Sequence, residues 1–202
     1  KIMTSKITFN YGALGASKSA SLLMTKFNYD QLGFNTVLVK PAQDTRSGYD
    51  IVASRIGLQE KADLVVTLQA TNYVLREALL NLVEKEHQPG QTVILVDESQ
   101  FLSPVAVREI VSVARQYKAK VLSYGLLKDF QNHLFPGTVV WLEESDSLQE
   151  VKTTCKVPNC GHKATHNLRL LDGKPVYDGD VVQIGDSEYL SVCSHHYENY
   201  PN

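Results

Sequence analysis

Short apolar segments typical of buried strands alternate with helical patterns through the first two thirds of the chain. The strand-like segments are residues 7–11, 36–39, 64–66, 93–96 and 120–124, and the helical patterns are residues 20–32, 72–87 and 104–117. Consecutive parallel strands need long crossover connections, which helices usually supply. The alternation therefore predicts an α/β fold with a mostly parallel sheet covered by helices on both faces.

The character of the sequence changes near residue 150, where cysteines and histidines appear, turns become frequent and long helical patterns stop. With 202 residues, the chain is long enough for one α/β domain and a small second one. We therefore expect an α/β domain over residues 1–148 and a smaller domain over residues 149–202.

The overall charge excludes some classes of partner. The formal net charge is −2, so no general positive field attracts nucleic acid or anionic lipid. No apolar run approaches the roughly 20 residues that span a bilayer, and the first residues lack the apolar core of a signal peptide. We expect a cytoplasmic protein that binds neither nucleic acid nor membranes.

A glycine-containing loop joins the first strand-like segment to the first helical pattern. The P-loop motif requires Gly, four residues, Gly, Lys, then Ser or Thr, and the chain matches it at Gly12, Lys18 and Ser19, with Ser17 at the second glycine position. Such a loop curls backbone N–H groups around phosphate. An ordinary turn with a chance Lys-Ser pair is the alternative. The predicted phosphate-binding residues are Gly12, Ala13, Leu14, Gly15, Ala16, Ser17, Lys18 and Ser19.

Two acidic residues, Asp97 and Glu98, follow the buried segment 93–96 directly. In P-loop enzymes an aspartate at this strand end helps to hold Mg²⁺, and the hydroxyl of Ser19 would be its second ligand. An adjacent carboxylate can accept the proton of an attacking hydroxyl. We predict a metal role for Asp97 and a general-base role for Glu98; a solvated acidic strand end is the alternative.

All three cysteines belong to two short Cys/His groups about thirty residues apart. This spacing is typical of a structural zinc site with four ligands. The predicted ligands are Cys155, Cys160, Cys193 and His196. His195 and His162 are alternatives to His196, and free thiols beside exposed histidines would be the arrangement without a metal.

Further segments complete a family pattern over nearly the whole chain. They are residues 40–46, 54–57, 97–101, 124–126, 129–130, 135, 160–165 and 189–193. Together with the P-loop, the strand-end acids and the Cys/His groups, they resemble the zinc-containing P-loop thymidine kinases (type II) of bacteria and animals. A generic P-loop protein would not share so many segments at these intervals.

The resemblance implies a fold, a reaction and partners. The fold would be a RecA-like P-loop domain followed by a zinc-ribbon-like domain. The enzyme would transfer the γ-phosphate of ATP to the 5′-hydroxyl of thymidine, a nucleotide-salvage step that serves DNA synthesis. ATP, Mg²⁺ and a structural Zn²⁺ would be bound, and the protein would assemble as a homotetramer.

The resemblance also implies residue roles. Asp44 and Arg46 would lie near the transferring phosphate, with Asp97 at the metal and Glu98 as the general base. A loop of the zinc domain, roughly residues 165–189, would close over thymine and read it through backbone groups. The implied thymidine-binding residues are Leu14, Phe101, Leu126, Phe130, Phe135, Val181, Gln183, Gly185 and Tyr189.

Three departures from the family pattern stand out. Ser17 replaces a glycine, Leu127 stands where bacterial relatives often carry arginine, and the first cysteine pair is two residues wider than usual. If Ser17 has a positive φ, the left-handed conformation costs a serine roughly 1 kcal/mol, which would weaken ATP binding. A catalytically impaired nucleotide-binding homologue is therefore the alternative function. A zinc-ribbon nucleic-acid-binding module is disfavoured by the charge.

Overall fold

The computed structural model describes residues 4–85, 90–180 and 188–201. Its strands are, in chain order, β1 (Ile7–Tyr11), β2 (Asn35–Pro41), β3 (Ile51–Ala53), β4 (Gln59–Lys61), β5 (Leu64–Val66), β6 (Thr92–Val96), β7 (Lys120–Gly125), β8 (Ser147–Glu150), β9 (His166–Leu171), β10 (Lys174–Val176) and β11 (Glu188–Val192). Its helices are α1 (Lys18–Gln31), α2 (Asn72–Val83), α3 (Pro104–Tyr117), α4 (Pro136–Glu144) and α5 (Ser194–Glu198), with a 3₁₀ turn at Ser99–Phe101.

Within the described residues, a six-stranded sheet organises the larger part of the molecule. Its strand order is β5-β2-β6-β7-β1-β8, and every neighbouring pair is parallel. The α/β fold predicted from the alternating pattern is confirmed. Because β1 and β6 lie on either side of β7, the segments that follow them come close together at the carboxyl edge of the sheet.

Helices cover both faces of this sheet. Strand β6 illustrates the division, since Val93 and Leu95 pack on the α1 side while Ile94 and Val96 face the opposite layer. That opposite layer is built from α2, α3 and α4, and the fully buried Trp141 lies within it. Strands buried on both faces explain why the sequence shows continuous apolar segments instead of alternation.

Two helix starts follow from side-chain caps. Ser103 caps α3 by accepting a hydrogen bond from Ala106 N, and Pro104 occupies the first turn, as the sequence indicates. Thr71 caps α2 in the same way through Val74 N. Helix α2 ends at Val83 instead of continuing to residue 87, and α1 begins at Lys18, two residues before its predicted start.

A second, antiparallel sheet has the order β10-β9-β11 and packs against α5. Its small core contains Leu168, Leu170, Val192 and Tyr197 next to the cysteines. Strand β8 continues the larger sheet to Glu150, and β9 begins at His166. A domain boundary after residue 148 stays a prediction. Across the described ranges, no helix is both long enough and apolar enough to cross a membrane.

Candidate active site and metal cluster

The loop between β1 and α1 wraps around the side chain of Lys18. Its Nζ donates to the carbonyl oxygens of Ala13 at 2.8 Å and Gly12 at 3.3 Å. Burial lowers the pKa of Lys18 to about 8, although the carboxylates of Glu98 and Asp97 act in the opposite direction. The loop therefore holds a buried cation whose partners are neutral carbonyls, an arrangement that favours an incoming anion.

Ser17 has a left-handed backbone, with φ 61° and ψ 30°, at the N-terminal cap of α1. Gly15 also has a positive φ, 72°. The φ of Ser17 is thus in the region that glycine adopts without penalty and serine does not. Gly12 is constrained differently, because a Cβ there would lie 2.4 Å from the carbonyl oxygen of Val151. The chain leaving β8 therefore requires a glycine at position 12.

A cluster of three carboxylates lies at the end of β6. Oxygen atoms of Asp44, Asp97 and Glu98 all come within 4.8 Å of one another. Burial, reinforced by repulsion from Glu98, raises the pKa of Asp97 above the usual range of a carboxyl. The hydroxyl of Ser19 donates to Asp97 at 3.0 Å. Carboxylate and hydroxyl oxygens gathered in this way suit a divalent cation such as Mg²⁺, which would relieve the repulsion.

Glu98 is held from two sides. Its Oε1 accepts a hydrogen bond from Arg46 Nη2 at 2.8 Å, and its Oε2 accepts one from Gln100 Nε2 at 2.7 Å. The buried Gln100 in turn accepts from Leu126 N at 3.1 Å. Glu98 also has a positive φ of 45°. Strained backbone of this kind persists where the surrounding contacts fix it, and it is concentrated at functional sites.

Two cavities meet at this carboxylate. One, of about 410 Å³, is lined by the P-loop. The other, of about 460 Å³, has four aromatic side chains and two leucines in its lining, together with polar and charged residues. The residues that line both are Leu14, Asp44, Arg46, Arg55, Glu98 and Leu126. A group passing from one cavity to the other therefore passes Glu98 and the two arginines.

The second cavity brings together the thymidine-binding residues expected within the described ranges. Phe101 and Phe135 meet edge to face with ring centres 5.7 Å apart, and Phe130 meets Tyr189 at 6.4 Å. Leu14 and Leu126 complete the apolar wall. Val181, Gln183 and Gly185, which were expected to contact thymine, lie outside the described residues.

The second sheet is connected directly to both cavities. The side chain of Asn167 on β9 accepts from Leu14 N at 3.0 Å and donates to the carbonyl oxygen of Lys128 at 3.0 Å. The hydroxyl of Tyr197 on α5 donates to the carbonyl oxygen of Phe130 at 2.6 Å. Sequence reasoning missed Asn167 and Tyr197, because their positions depend on how distant segments pack. It placed Gln100 and Arg55 in family-like segments but gave neither a role.

The cysteine and histidine groups converge beside the second sheet, in the segment before β9 and at the start of α5. His196 Nδ1 lies 3.5 Å from Cys155 Sγ and 3.4 Å from Cys193 Sγ, and the sulfurs of Cys160 and Cys193 are 3.8 Å apart. A tetrahedral zinc with bonds of about 2.3 Å to sulfur and about 2.0 Å to nitrogen would place its ligands about 3.8 Å (S to S) and about 3.5 Å (S to N) apart. The cluster is therefore compatible with structural zinc.

The two alternative histidines are placed less favourably. His162 Nδ1 lies 3.5 Å from the sulfur of Cys160 but has no second cysteine contact among the described hydrogen bonds. His195 stacks edge to face on the ring of His196 at 5.2 Å. The four-residue group that could share one ion contains His196 and neither alternative.

The family model and three relatives that match this chain all carry the same description. A family model described as thymidine kinase matches residues 5–197. A thymidine kinase of Lactobacillus johnsonii is 43% identical over 195 residues, which cover 95% of this chain and 96% of the relative. A Lactobacillus acidophilus thymidine kinase is 38% identical over 193 residues, covering 95% and 96%. One from Streptococcus pyogenes serotype M3 is 37% identical over 195 residues, covering 96% and 97%.

Proposed function

Because this chain belongs to the thymidine kinase family, we propose that it transfers the γ-phosphoryl group of ATP to the 5′-hydroxyl of thymidine where its two cavities meet. The reaction is assigned to this position because Glu98 lines both cavities. The P-loop cavity would hold ATP, and the aromatic cavity would hold thymidine. Donor and acceptor then approach each other at a carboxylate.

Glu98 acts as the general base. The 5′-oxygen of thymidine forms a bond to the γ-phosphorus while the bond from that phosphorus to the β,γ-bridging oxygen breaks, and ADP leaves. The proton of the 5′-hydroxyl passes to the Glu98 carboxylate. The hydrogen bonds from Arg46 and Gln100 orient that carboxylate, and positioning of this kind supplies much of the rate in phosphoryl transfer.

The phosphates of ATP bind along the P-loop, from Gly12 to Ser19. Lys18 exchanges its carbonyl partners for phosphate oxygens, which compensate its charge better than Gly12 O and Ala13 O do. Asp44 orients Arg46 through a 2.7 Å ion pair beside the transferring group. The N-terminus of α1 adds its backbone N–H groups.

Ser19 and Asp97 would hold the divalent cation that the kinase family implies, and their 3.0 Å hydrogen bond already places both oxygens together. When bound, Mg²⁺ supplies positive charge that neutralises phosphate oxygens. The pocket for thymidine consists of Leu14, Phe101, Leu126, Phe130, Phe135 and Tyr189, and contacts from Val181, Gln183 and Gly185 are part of the same proposal.

Cys155, Cys160, Cys193 and His196 would bind a structural zinc that stabilises the second sheet. The left-handed backbone of Ser17 would weaken ATP binding, but it does not by itself indicate a catalytically impaired homologue. Lys18, Ser19 and Glu98 line the P-loop cavity, and the relatives are named thymidine kinases. A homotetramer in the cytoplasm is proposed from the family resemblance. Light scattering on the purified protein measures the assembly.

A phosphotransfer assay against a panel of nucleosides tests the proposed function. With ATP and Mg²⁺, we expect thymidine to be converted to its 5′-monophosphate with one ADP formed per product. Deoxycytidine and deoxyadenosine should react far more slowly. ATP consumption that does not depend on thymidine, or a preference for another nucleoside, would overturn the proposal.

A further inference from the structure

Strands β3 and β4 form a separate two-stranded hairpin beside the P-loop cavity. Its turn is closed by Ser54 N donating to Leu58 O at 2.7 Å and by Leu58 N donating to Ser54 Oγ at 3.1 Å. At the base of the hairpin, the buried Lys40 donates from Nζ to the carbonyl oxygens of Gly48 and Ile51, both at 3.0 Å. The hairpin is therefore fixed to the main sheet and presents its turn to the cavity.

The residue that this turn presents is Arg55, which lines both cavities. Its Nη1 lies 3.5 Å from the place where a Cβ on Gly15 would be. Its positive charge is among the influences that lower the pKa of Lys18, after burial as the main cause. The guanidinium thus faces the phosphate-binding loop.

Arg55 differs from Arg46 in what holds it. Arg46 is committed to Asp44 at 2.7 Å and to Glu98 at 2.8 Å. In the described part of the chain, the guanidinium of Arg55 makes no hydrogen bond or ion pair with a protein group. Its donors remain available to a ligand, and a second arginine close to Lys18 is unfavourable until a polyanion enters.

We propose that Arg55 is a further catalytic residue, which contacts the γ-phosphoryl group as it passes from ATP to the acceptor hydroxyl. The inference rests on the proposed function. A planar guanidinium can donate two parallel hydrogen bonds to phosphoryl oxygens and stabilise the charge that spreads over them in the transition state. Arg46 orients the base, while Arg55 stabilises the transferred group.

The test compares Arg55→Ala with Lys61→Ala in the thymidine phosphorylation assay. Lys61 is a matched control because it lies on the same hairpin, has an exposed side chain paired with Asp50 at 3.2 Å, and lies outside both cavities. We expect Arg55→Ala to lower kcat about 100-fold, with the KM for thymidine and the affinity for ADP within about twofold of wild type. Lys61→Ala should stay within about twofold in all three.

Added guanidinium separates a catalytic role from a structural one. Millimolar guanidinium should restore part of the kcat of Arg55→Ala and leave wild type and Lys61→Ala unchanged. Three outcomes would overturn the assignment. The kcat of Arg55→Ala could equal that of Lys61→Ala, the affinity of Arg55→Ala for ADP could fall as much as its kcat, or guanidinium could restore none of its kcat. If the wild-type protein does not phosphorylate thymidine, the proposed function itself fails, and this outcome is seen before any variant is compared.

Discussion

At the scale of single residues, Glu98 is the side chain on which the proposed chemistry depends most. Replacing it by glutamine keeps its shape but removes the carboxylate that accepts the proton. We expect Glu98→Gln to lower kcat at least about 100-fold, since general-base loss typically has this size. Binding of a non-hydrolysable ATP analogue, measured by calorimetry, should change little.

Glu143→Gln is the matched control for this substitution. Glu143 also pairs with an arginine, Arg108 at 3.2 Å, but on the exposed surface of α4. Its variant should keep wild-type turnover. If Glu98→Gln retains more than about half of the wild-type kcat, Glu98 is not the base.

Ser17 is the residue whose backbone conformation conflicts most directly with its type. Its φ of 61° confirms the condition under which serine strains the loop. Because left-handed backbone costs a non-glycine residue about 1 kcal/mol, we predict that Ser17→Gly tightens binding of a non-hydrolysable ATP analogue several-fold. Thymidine affinity should be unchanged, because other segments form most of that pocket.

Lys118→Gly provides the comparison for this strain. Lys118 also has a left-handed backbone, with φ 56°, at the C-terminal cap of α3 and away from the cavities. Calorimetric titration should show unchanged analogue binding in Lys118→Gly. Equal or weaker binding by Ser17→Gly would mean that the loop accommodates serine without loss of affinity.

Among the helices and strands, the sequence predicted those that are specified by a cap or by a regular apolar pattern within the segment itself. Helix α3 begins at Pro104 and ends at Tyr117 as expected, because a Ser-Pro cap precedes a regular amphipathic pattern. Strands β3 and β4 were not predicted, since three residues are too few to show a period. Strand β8 was missed because this edge strand reads Ser-Leu-Gln-Glu, with Leu148 half exposed.

In the candidate site, too, the sequence identified residues that are specified by local sequence and missed residues that depend on distant contacts. Lys18 and Glu98 could be identified because they stand at fixed offsets from a strand end. Asn167 and Tyr197 could not, since their partners Leu14 and Phe130 lie far away in sequence. Arg55 belongs to a segment with a family pattern, but only the hairpin geometry places it against both cavities.

Helix α5 links the second sheet to the proposed thymidine pocket. Tyr197→Phe removes the hydroxyl that donates to Phe130 O and leaves that buried carbonyl without this partner. A hydrogen bond of this kind contributes about 1 kcal/mol, so we predict a roughly fivefold rise in the Kd for thymidine. The Kd of the ATP analogue should stay the same.

Tyr73→Phe is the matched control, because it also removes one tyrosine hydroxyl that donates a hydrogen bond. It removes an exposed hydroxyl that donates to Glu77 within α2, remote from both cavities. Thymidine binding by this variant should match wild type. An unchanged thymidine Kd in Tyr197→Phe would show that α5 does not support the pocket.

For the molecule as a whole, zinc would connect α5 to the segment before β9 that contains Cys155 and Cys160. We predict one tightly bound zinc per chain by elemental analysis of protein purified without added metal. Cys193→Ser should lose the zinc, lower the Tm, and weaken thymidine binding more than ATP-analogue binding. The reason is that Asn167, Tyr189 and Tyr197 belong to the second sheet and α5, whereas most of the P-loop cavity does not.

His162→Ala tests the choice of the fourth ligand. It removes a histidine that approaches only Cys160 among the described contacts, and it should keep both zinc and thymidine affinity. Zinc retained in Cys193→Ser, or lost in His162→Ala but kept in His196→Ala, would contradict the proposed ligand set.

The position of β1 in the sheet has a consequence for synthesis. This strand is made before the other strands of the larger sheet, yet its neighbours are made late, since Ile7 pairs with Val121 and Thr8 with Ser147, more than one hundred residues further on. A nascent chain therefore carries the phosphate-loop strand without either partner while most of the larger sheet is still being translated. Parallel pairing over such separations makes folding slow, because long loops must close before contacts stabilise them. The proposed nucleotide site therefore cannot take its native form until the ribosome has passed β8, which lies shortly before the second sheet in sequence.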